Sequence, residues 1–366
     1  MSDRLLVSTR KGLFTLMRSA SAWQIEGVSF LGENVTLALP DPRDGRWYAA
    51  LSLGHFGVKL KGSSDQGRTW EELAVPAYAE GDTIATGDGK PPAPATLKLI
   101  WSLEPGSAQQ SGRLWAGTAP GGLFRSEDQG QSWHLIRELW DRPERSRWFG
   151  GGLDTPGIHS ISIDPRDDRV IRVGVSCAGV WRSDDDGKTW RTNAQGMFAE
   201  YMPPELKDDP NIQDPHRMVQ CPGDPDALWV QHHNGIFHSR NGGEQWHHVP
   251  NSNPSSFGFG VAVHPREPQT AWFVPAVKDE CRVPVNGKLV VTRTRDGGKS
   301  FDVLRDGLPQ QHSYDIIYRH ALDIDATGER LAIGSTTGGL WISENQGDRW
   351  QNISSNLPPI HAVRFF

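Results

Sequence analysis

Four histidines, His159, His216, His232 and His320, are the side chains of this sequence best suited to moving a proton near neutral pH, because imidazole titrates there without help. Four arginines, Arg10, Arg217, Arg282 and Arg319, carry the permanent planar charge that holds carboxylates and phosphates. His55, Lys98 and His233 add further donors, and Trp148 offers a flat apolar face suited to stacking on a sugar ring. A metal reading is open as well. His159, His216, His232, His233 and His320 are neutral nitrogen donors that could hold a divalent ion, although no two have the spacing of ligands on one helix. Carboxylates such as Asp141, Glu144, Asp154, Glu200, Asp214 and Asp315 could supply the pair a glycosidase needs, roughly 5 to 10 Å apart. These residues are scattered from Arg10 to His320, so the chemistry exists only if the fold gathers them.

The elements that must gather them are announced by a repeated stretch. Ser183 to Trp190 reads S-x-D-x-G-x-T-W, and Ser63 to Trp70 and Ser126 to Trp133 match it in full. Ser239 to Trp246, Thr294 to Phe301 and Ser343 to Trp350 are relaxed versions. The closing aromatics stand 49 to 63 residues apart, a period that dictates a repeat architecture. An Asp or Asn that accepts backbone N–H groups, with a Gly at positive φ, makes a tight turn. The Ser or Thr two places earlier can bond within the same turn, and the aromatic opens the next strand and packs on a neighbouring sheet. Each stretch is therefore expected to be a hairpin turn with a packing anchor rather than a place of chemistry.

Between anchors the pattern predicts four strands, A to D. In the third repeat A is Ile158 to Ile163, B is Val170 to Ser176, C is Gly179 to Ser183, and D starts at Trp190. The A–B turn has its own signature in Asp41-Pro42-Arg43, Asp164-Pro165-Arg166, Asp224-Pro225 and His264-Pro265-Arg266, where Pro presets φ. Six such repeats run from Asn34 to near Pro359. Before them, Leu5 to Thr9 and Leu13 to Leu16 read as strands B and C, followed by a decayed turn at Ser19 to Trp23. After them, residues 360–366 read as a lone A strand. Joined, 360–366 and 4–26 make a seventh sheet that leaves no open edge in the array. The expected fold is all-β: one seven-bladed β-propeller of four-stranded blades over residues 1–366. The need for Leu5 to Thr9 in that seam argues against a cleaved leader.

In such blades the A–B and C–D turns lie at one face, and the B–C loops and D-to-A connections at the other. The first face is regular. The second carries the long irregular segments, Pro76 to Thr96, Glu138 to Gly157, Asn193 to Asp214, Val277 to Gly287 and Leu308 to Ile317, and long loops on a rigid scaffold are where binding concentrates. Lys98, His159, His216, Arg217, Arg319, His320 and His361 fall on D–A connections and A-strand starts there. Arg10, His55, His232, His233 and Arg282 fall on its B–C loops. The expectation is a His- and Arg-lined funnel for a small anionic or carbohydrate-like ligand.

The repeated stretch resembles the Asp-box (BNR-type) repeats found in sialidases, sortilin-like receptors, some xyloglucan-cleaving glycosidases and the photosystem II stability/assembly factor. The resemblance covers nearly the whole chain and implies a propeller; because that set holds enzymes and binding proteins alike, it leaves function open. Sialidase activity itself is not expected. The Arg-Ile-Pro element of that family is missing, Arg10 being the nearest equivalent, and tyrosine is scarce.

Composition narrows the remainder. A net charge of −6 with no basic stripe gives no reason to expect a nucleic-acid partner or a membrane-binding face. Three cysteines without a C-x-x-C argue against a disulfide framework, and no apolar run could span a bilayer, so the chain reads as cytoplasmic. Two functions follow. One is a glycosidase-related protein working by hydrolysis or elimination, with a divalent metal at the channel-mouth histidines as an option. The other is a non-catalytic scaffold that uses the same face for a protein partner, as the resemblance to the photosystem factor implies.

Overall fold

The computed structural model describes residues 1–20, 22–85 and 91–366. Ser21 of the decayed turn and residues 86–90 of the long segment after Pro76 lie outside the described residues. The chain forms seven four-stranded sheets, the blades of a seven-bladed β-propeller, as the repeat pattern predicts.

Six blades are built from consecutive strands. Blade 1 is Val35–Pro40, Trp47–Ser52, Val58–Ser63 and Glu71–Leu73; blade 2 is Leu99–Pro105, Leu114–Ala119, Leu123–Ser126 and His134–Leu135. Blade 3 is Ile158–Asp164, Asp167–Val175, Gly179–Ser183 and Arg191–Thr192; blade 4 is Pro215–Cys221, Asp224–His232, Gly235–Ser239 and His247–Val249. Blade 5 is Gly258–Val263, Ala271–Pro275, Val291–Thr294 and Asp302–Leu304; blade 6 is Leu322–Ile324, Leu331–Gly334, Leu340–Ser343 and Trp350–Ser354. Blade 7 joins the two ends of the chain. Ile360–Phe365 pairs antiparallel with Arg4–Thr9, placing Leu5 opposite Phe365 and Val7 opposite Val363, and Gly12–Ser19 and Ala22–Ser29 follow outward.

By internal packing the chain divides into two compact units. One comprises Met1–Pro40, His216–Gly242 and His247–Phe366; the other comprises Asp41–Pro215 and Gly243–Trp246. The first unit has apolar clusters around Trp272, Leu331 and Trp341, around Leu5, Val7 and Val363, and around Trp229 and Phe273. The second has one around Trp115, Trp181 and Trp190. Burying whole indoles in this way supplies much of the hydrophobic drive of blades that are individually too thin to fold.

The repeated turns are hydrogen-bonded as their residue types require. In the first, Ser63 Oγ donates to Asp65 and accepts the Gly67 N–H at 2.8 Å, while Asp65 accepts both the N–H and the hydroxyl of Thr69. Asp128, Asp185 and Asp296 repeat the set with Ser132, Thr189 and Ser300. These bonds to the charged form hold Asp65 and Asp296 at about 2, led in each case by the hydroxyl of Thr69 and of Ser300. The glycine is not the only left-handed residue: Gln66, Gln129, Asp186 and Gln346 also have φ near +60°. The turn thus needs two consecutive positive-φ residues, at its fourth and fifth places, where Gln, Asp or Gly is followed by Gly.

One irregularity recurs in the first strands. The pairing register shifts between Ile100 and Ser102 in blade 2, between Ile158 and Ser160 in blade 3, and between Gly258 and Val261 in blade 5. A bulge re-aims the side chain it contains. The residues so placed are Trp101, His159 and Phe259. Among the described residues no helix is long and apolar enough to cross a membrane.

Candidate functional site

Phe259 is the floor of a cluster of polar and aromatic side chains in the first unit. It is 2 % exposed and packs with Phe257, Ala276, Ile316 and Tyr318 in a small apolar group of its own. The pairing register of its strand shifts between Gly258 and Val261, and the ring packs with Ala276 of the B–C loop and with Ile316 and Tyr318 of the connection entering blade 6. His216 lies against one face, ring centroids 4.5 Å apart and planes 16° from parallel. The guanidinium groups of Arg282 and Arg319 stand 5.3 and 5.4 Å from the centroid of the same ring, and Tyr318 meets it edge-on at 4.9 Å. Cation–π attraction of about 0.5 to 2 kcal/mol apiece favours seating both cations there.

Each partner is positioned by its own element. His216 is the second residue of the first strand of blade 4, and its Nδ1 donates to the Gly258 carbonyl at 2.6 Å. That bond fixes the tautomer so that Nε2 carries the lone pair, the arrangement seen in metal-binding and proton-accepting histidines. His233, in the B–C turn of the same blade, meets His216 edge-on at 5.6 Å, and their ligating nitrogens lie within 4.8 Å of each other. Arg282 sits in the B–C loop of blade 5, where Asp279 Oδ1 accepts from its Nε and Nη2. Burial works against the Arg282 charge, but the bonds to Asp279 and Tyr318 prevail and leave its pKa raised. Arg319 is 8 % exposed, in the connection that enters blade 6.

Other expected residues of this unit stand apart from that floor or are tied to the backbone. His232 is buried, and its Nδ1 accepts the Asn234 N–H at 3.0 Å, so its proton is on Nε2 and the ring braces the turn. His320 is half-buried; it bridges Ala362 in blade 7 and its carbonyl accepts the Val363 N–H. Arg217 is half-buried beside His216 in sequence, and its charge is felt by Asp323. Arg10 is exposed, its N–H bonded to the Pro359 carbonyl. Burial and then the Arg10 charge hold His361 below the ordinary histidine range, and its Nε2 bonds Asn34 Oδ1 at 2.8 Å.

The second unit holds the rest. His159 is fully buried, edge-on to Trp101 at 5.6 Å, with Nδ1 against Ser160 Oγ. His55 and Lys98 are exposed, His55 tilted onto Phe56. The stacking role expected of Trp148 is corrected: the residue is 3 % exposed and packs on Trp181 at 5.6 Å, because the short helical turns 137–140 and 143–147 fold its loop down as core. Asp214 Oδ1 accepts from Cys177 N and Ser176 Oγ.

Sequence reasoning missed Phe259 and Asp323. Phe259 was legible in principle, since it takes the place that His159, His216 and His361 hold at the start of their strands. Asp323 is half-buried in the first strand of blade 6; burial pushes its carboxyl up to about 6 despite Arg364 and Arg217, and Oδ2 accepts the Phe365 N–H. No spacing marks it.

No protein-family model matches the chain. It is 23 % identical, over 332 residues, to an oligoxyloglucan-reducing end-specific xyloglucanase of Emericella nidulans, an alignment covering 83 % of this chain and 37 % of that protein. Among solved structures, the GH74 xyloglucanase of Xanthomonas campestris superposes with a TM-score of 0.68 at 18 % identity, over 97 % of this chain and 53 % of that one. YCF48 bound to D1 peptide superposes with a TM-score of 0.56 at 12 % identity, over 93 % and 89 %. The chain spans about half or less of the length of the xyloglucanases it matches. The chain folds as a seven-bladed β-propeller and is similar in sequence and fold to part of these xyloglucanases.

Proposed function

We propose that the chain is a glycosidase-related propeller that binds a small carbohydrate-like or anionic ligand where His216, His233, Arg282 and Arg319 gather around Phe259. The observation that carries this reading is the seating of two guanidinium groups and a stacked imidazole on one aromatic ring. Apolar packing alone has no use for such a set, whereas a ligand site combines an apolar base with a few convergent polar groups. Hydrolysis or elimination is the chemistry these residues could serve, with His216 Nε2 as proton acceptor; the His216–His233 pair also has the donor type for a divalent ion. The relation to xyloglucanases supports a sugar as the ligand.

The test is a thermal-shift and calorimetric screen against xyloglucan oligosaccharides, acidic oligosaccharides, phosphate and Zn²⁺. A ligand at 100 times its Kd stabilises by about 2.7 kcal/mol, enough to move the melting point visibly. Stabilisation that disappears in Arg282→Gln supports the reading. Silence across the panel overturns it and favours the second reading, a protein-binding scaffold. That rival is supported by the likeness to YCF48 with its bound peptide and by Tyr314, 64 % exposed in the connection entering blade 6.

A further inference from the structure

We propose that the second unit has a binding site of its own, in which Arg145 holds the carboxylate or phosphate group of a ligand of about monosaccharide size. The site uses no residue of the Phe259 cluster. It is a groove of about 340 Å³, at the small end of ligand pockets, lined by Trp140, Asp141, Arg142, Arg145 and Ser146 from the connection that leaves blade 2. Thr83 closes it from the small sheet in which Thr83–Ile84 pairs with Ala93–Pro94.

The stretch 137–147 carries four arginines, and three of them have a carboxylate. Arg137 pairs with Asp82 at 2.6 Å, Arg142 with Glu144, and Arg147 with Asp209. Asp141, which also lines the groove, lies 3.5 Å from Arg137. Arg145 differs. Its guanidinium lies on the buried indole of Trp140, 3.6 Å from the ring centroid, with Tyr78 packed on the same indole at 4.8 Å. Its Nε donates to the Trp140 carbonyl and its Nη2 to the Thr83 carbonyl at 3.0 Å. Among the described residues Nη1 has no acceptor and the charge has no carboxylate in contact. Burial holds the pKa of Arg145 below the ordinary arginine value although Tyr78, Asp141 and Asp82 act the other way, so the charge is partly desolvated and incompletely balanced. The stack and the two carbonyls fix the plane of the group before a ligand arrives, which removes much of the ordering cost of binding. A carboxylate or phosphate is the partner that a pre-oriented guanidinium matches, and it would supply the missing countercharge. The hydroxyls of Thr83 and Ser146 stand on the same lining for the ligand's polar groups.

The experiment is calorimetric titration of the whole chain with glucuronate, glucose 6-phosphate and glucose, made in an Arg282→Gln background so that the Phe259 cluster does not contribute. The three probes share a ring and differ in the anionic group. At least one of the two anions is expected to bind about tenfold or more tightly than glucose, in line with the strength of charge-assisted hydrogen bonds, and the tighter of the two identifies the oxyanion. Adding Arg145→Gln should erase that preference. Ser146→Asp places a negative charge on the lining from an exposed side chain, leaves the Arg145–Trp140 stack alone and should weaken the anions while sparing glucose. It keeps the test decisive if Arg145→Gln does not fold. Glucose bound as tightly as both anions, no binding by any probe, or an anion preference that survives Arg145→Gln or Ser146→Asp in a folded chain overturns the proposal. None of these outcomes bears on the Phe259 cluster, whose own test is made with Arg282 in place.

Discussion

The imidazole of His216 lies flat on Phe259 while its Nδ1 donates to the carbonyl of Gly258, the residue just before that phenylalanine. One strand start therefore fixes both the plane and the tautomer of the histidine. Phe259→Leu keeps most of the buried volume and removes the ring. It should lower stability by about 1 to 1.5 kcal/mol, as a volume-conserving core change does. Ligand affinity should fall further than stability, because His216, Arg282 and Arg319 all lose their seat. Urea unfolding and titration of the same sample separate the two, and affinity unchanged in a folded variant would remove Phe259 from the site.

The repeated turns give a prediction about architecture alone. Ser183 is buried, and its hydroxyl accepts the Gly187 N–H at 2.9 Å while donating to Asp185. Ser183→Ala leaves that N–H without its acceptor, which costs about 1 to 2 kcal/mol. Ser126→Ala breaks the same bond in another blade of the same unit. The two sites share no partner, so the double variant should lose close to the sum. Chemical denaturation measures this, and a loss well short of the sum would mean that the blades do not unfold as one unit.

These two cases also show what the sequence could disclose. The turns were legible because each uses a fixed set of residue types at fixed offsets, and Asp296 makes the full set of bonds even though its stretch closes on Phe301 rather than Trp. The gathering of His216, His233, Arg282 and Arg319 at one end of blades 4 to 6 was legible from strand order, since alternate turns of an antiparallel sheet share an end. What hid was depth. Trp148, expected on an open loop, is 3 % exposed and packed on Trp181, and whether a loop side chain folds down or stands up depends on packing that no offset encodes. Phe259 hid for the opposite reason: an apolar residue in a strand reads as core, and a bulge made it a platform.

Asp323 sets a pH dependence. Burial raises its carboxyl to about 6, against about 3.9 in an unfolded chain. A folded-state pKa above the unfolded one favours the native state most below about pH 4, and that contribution is lost as pH rises through 6. The full loss is at most about 2 to 3 kcal/mol, less where solvent reaches the half-buried group. Asp323→Asn keeps an acceptor for the Phe365 N–H and removes the titration. The stability difference between the native chain and this variant should therefore slope in favour of the variant from pH 4 to 7. Parallel curves would show that Arg217 and Arg364 cancel the effect of burial.

The seam of blade 7 can be probed at a single contact. Gly334 ends the second strand of blade 6, and a Cβ built there would stand 2.4 Å from Ile360 Cγ2 and 3.0 Å from Ile360 Cβ. The glycine is required by this close approach and not by its backbone angles, since it is absent from the positive-φ set. Gly334→Ala should therefore cost about 1 to 3 kcal/mol through overpacking. Ile360→Ala, which opens a cavity at a residue 1 % exposed, should cost about 2 to 5 kcal/mol. Together they should cost less than the sum, because the new methyl enters space that the isoleucine vacated. A coupling of about 1 kcal/mol or more in that direction is the expected reading of the double-mutant cycle. Strict additivity would mean that the first strand of blade 7 does not press on blade 6 as the structure has it, and that the ends of the chain meet in some other register.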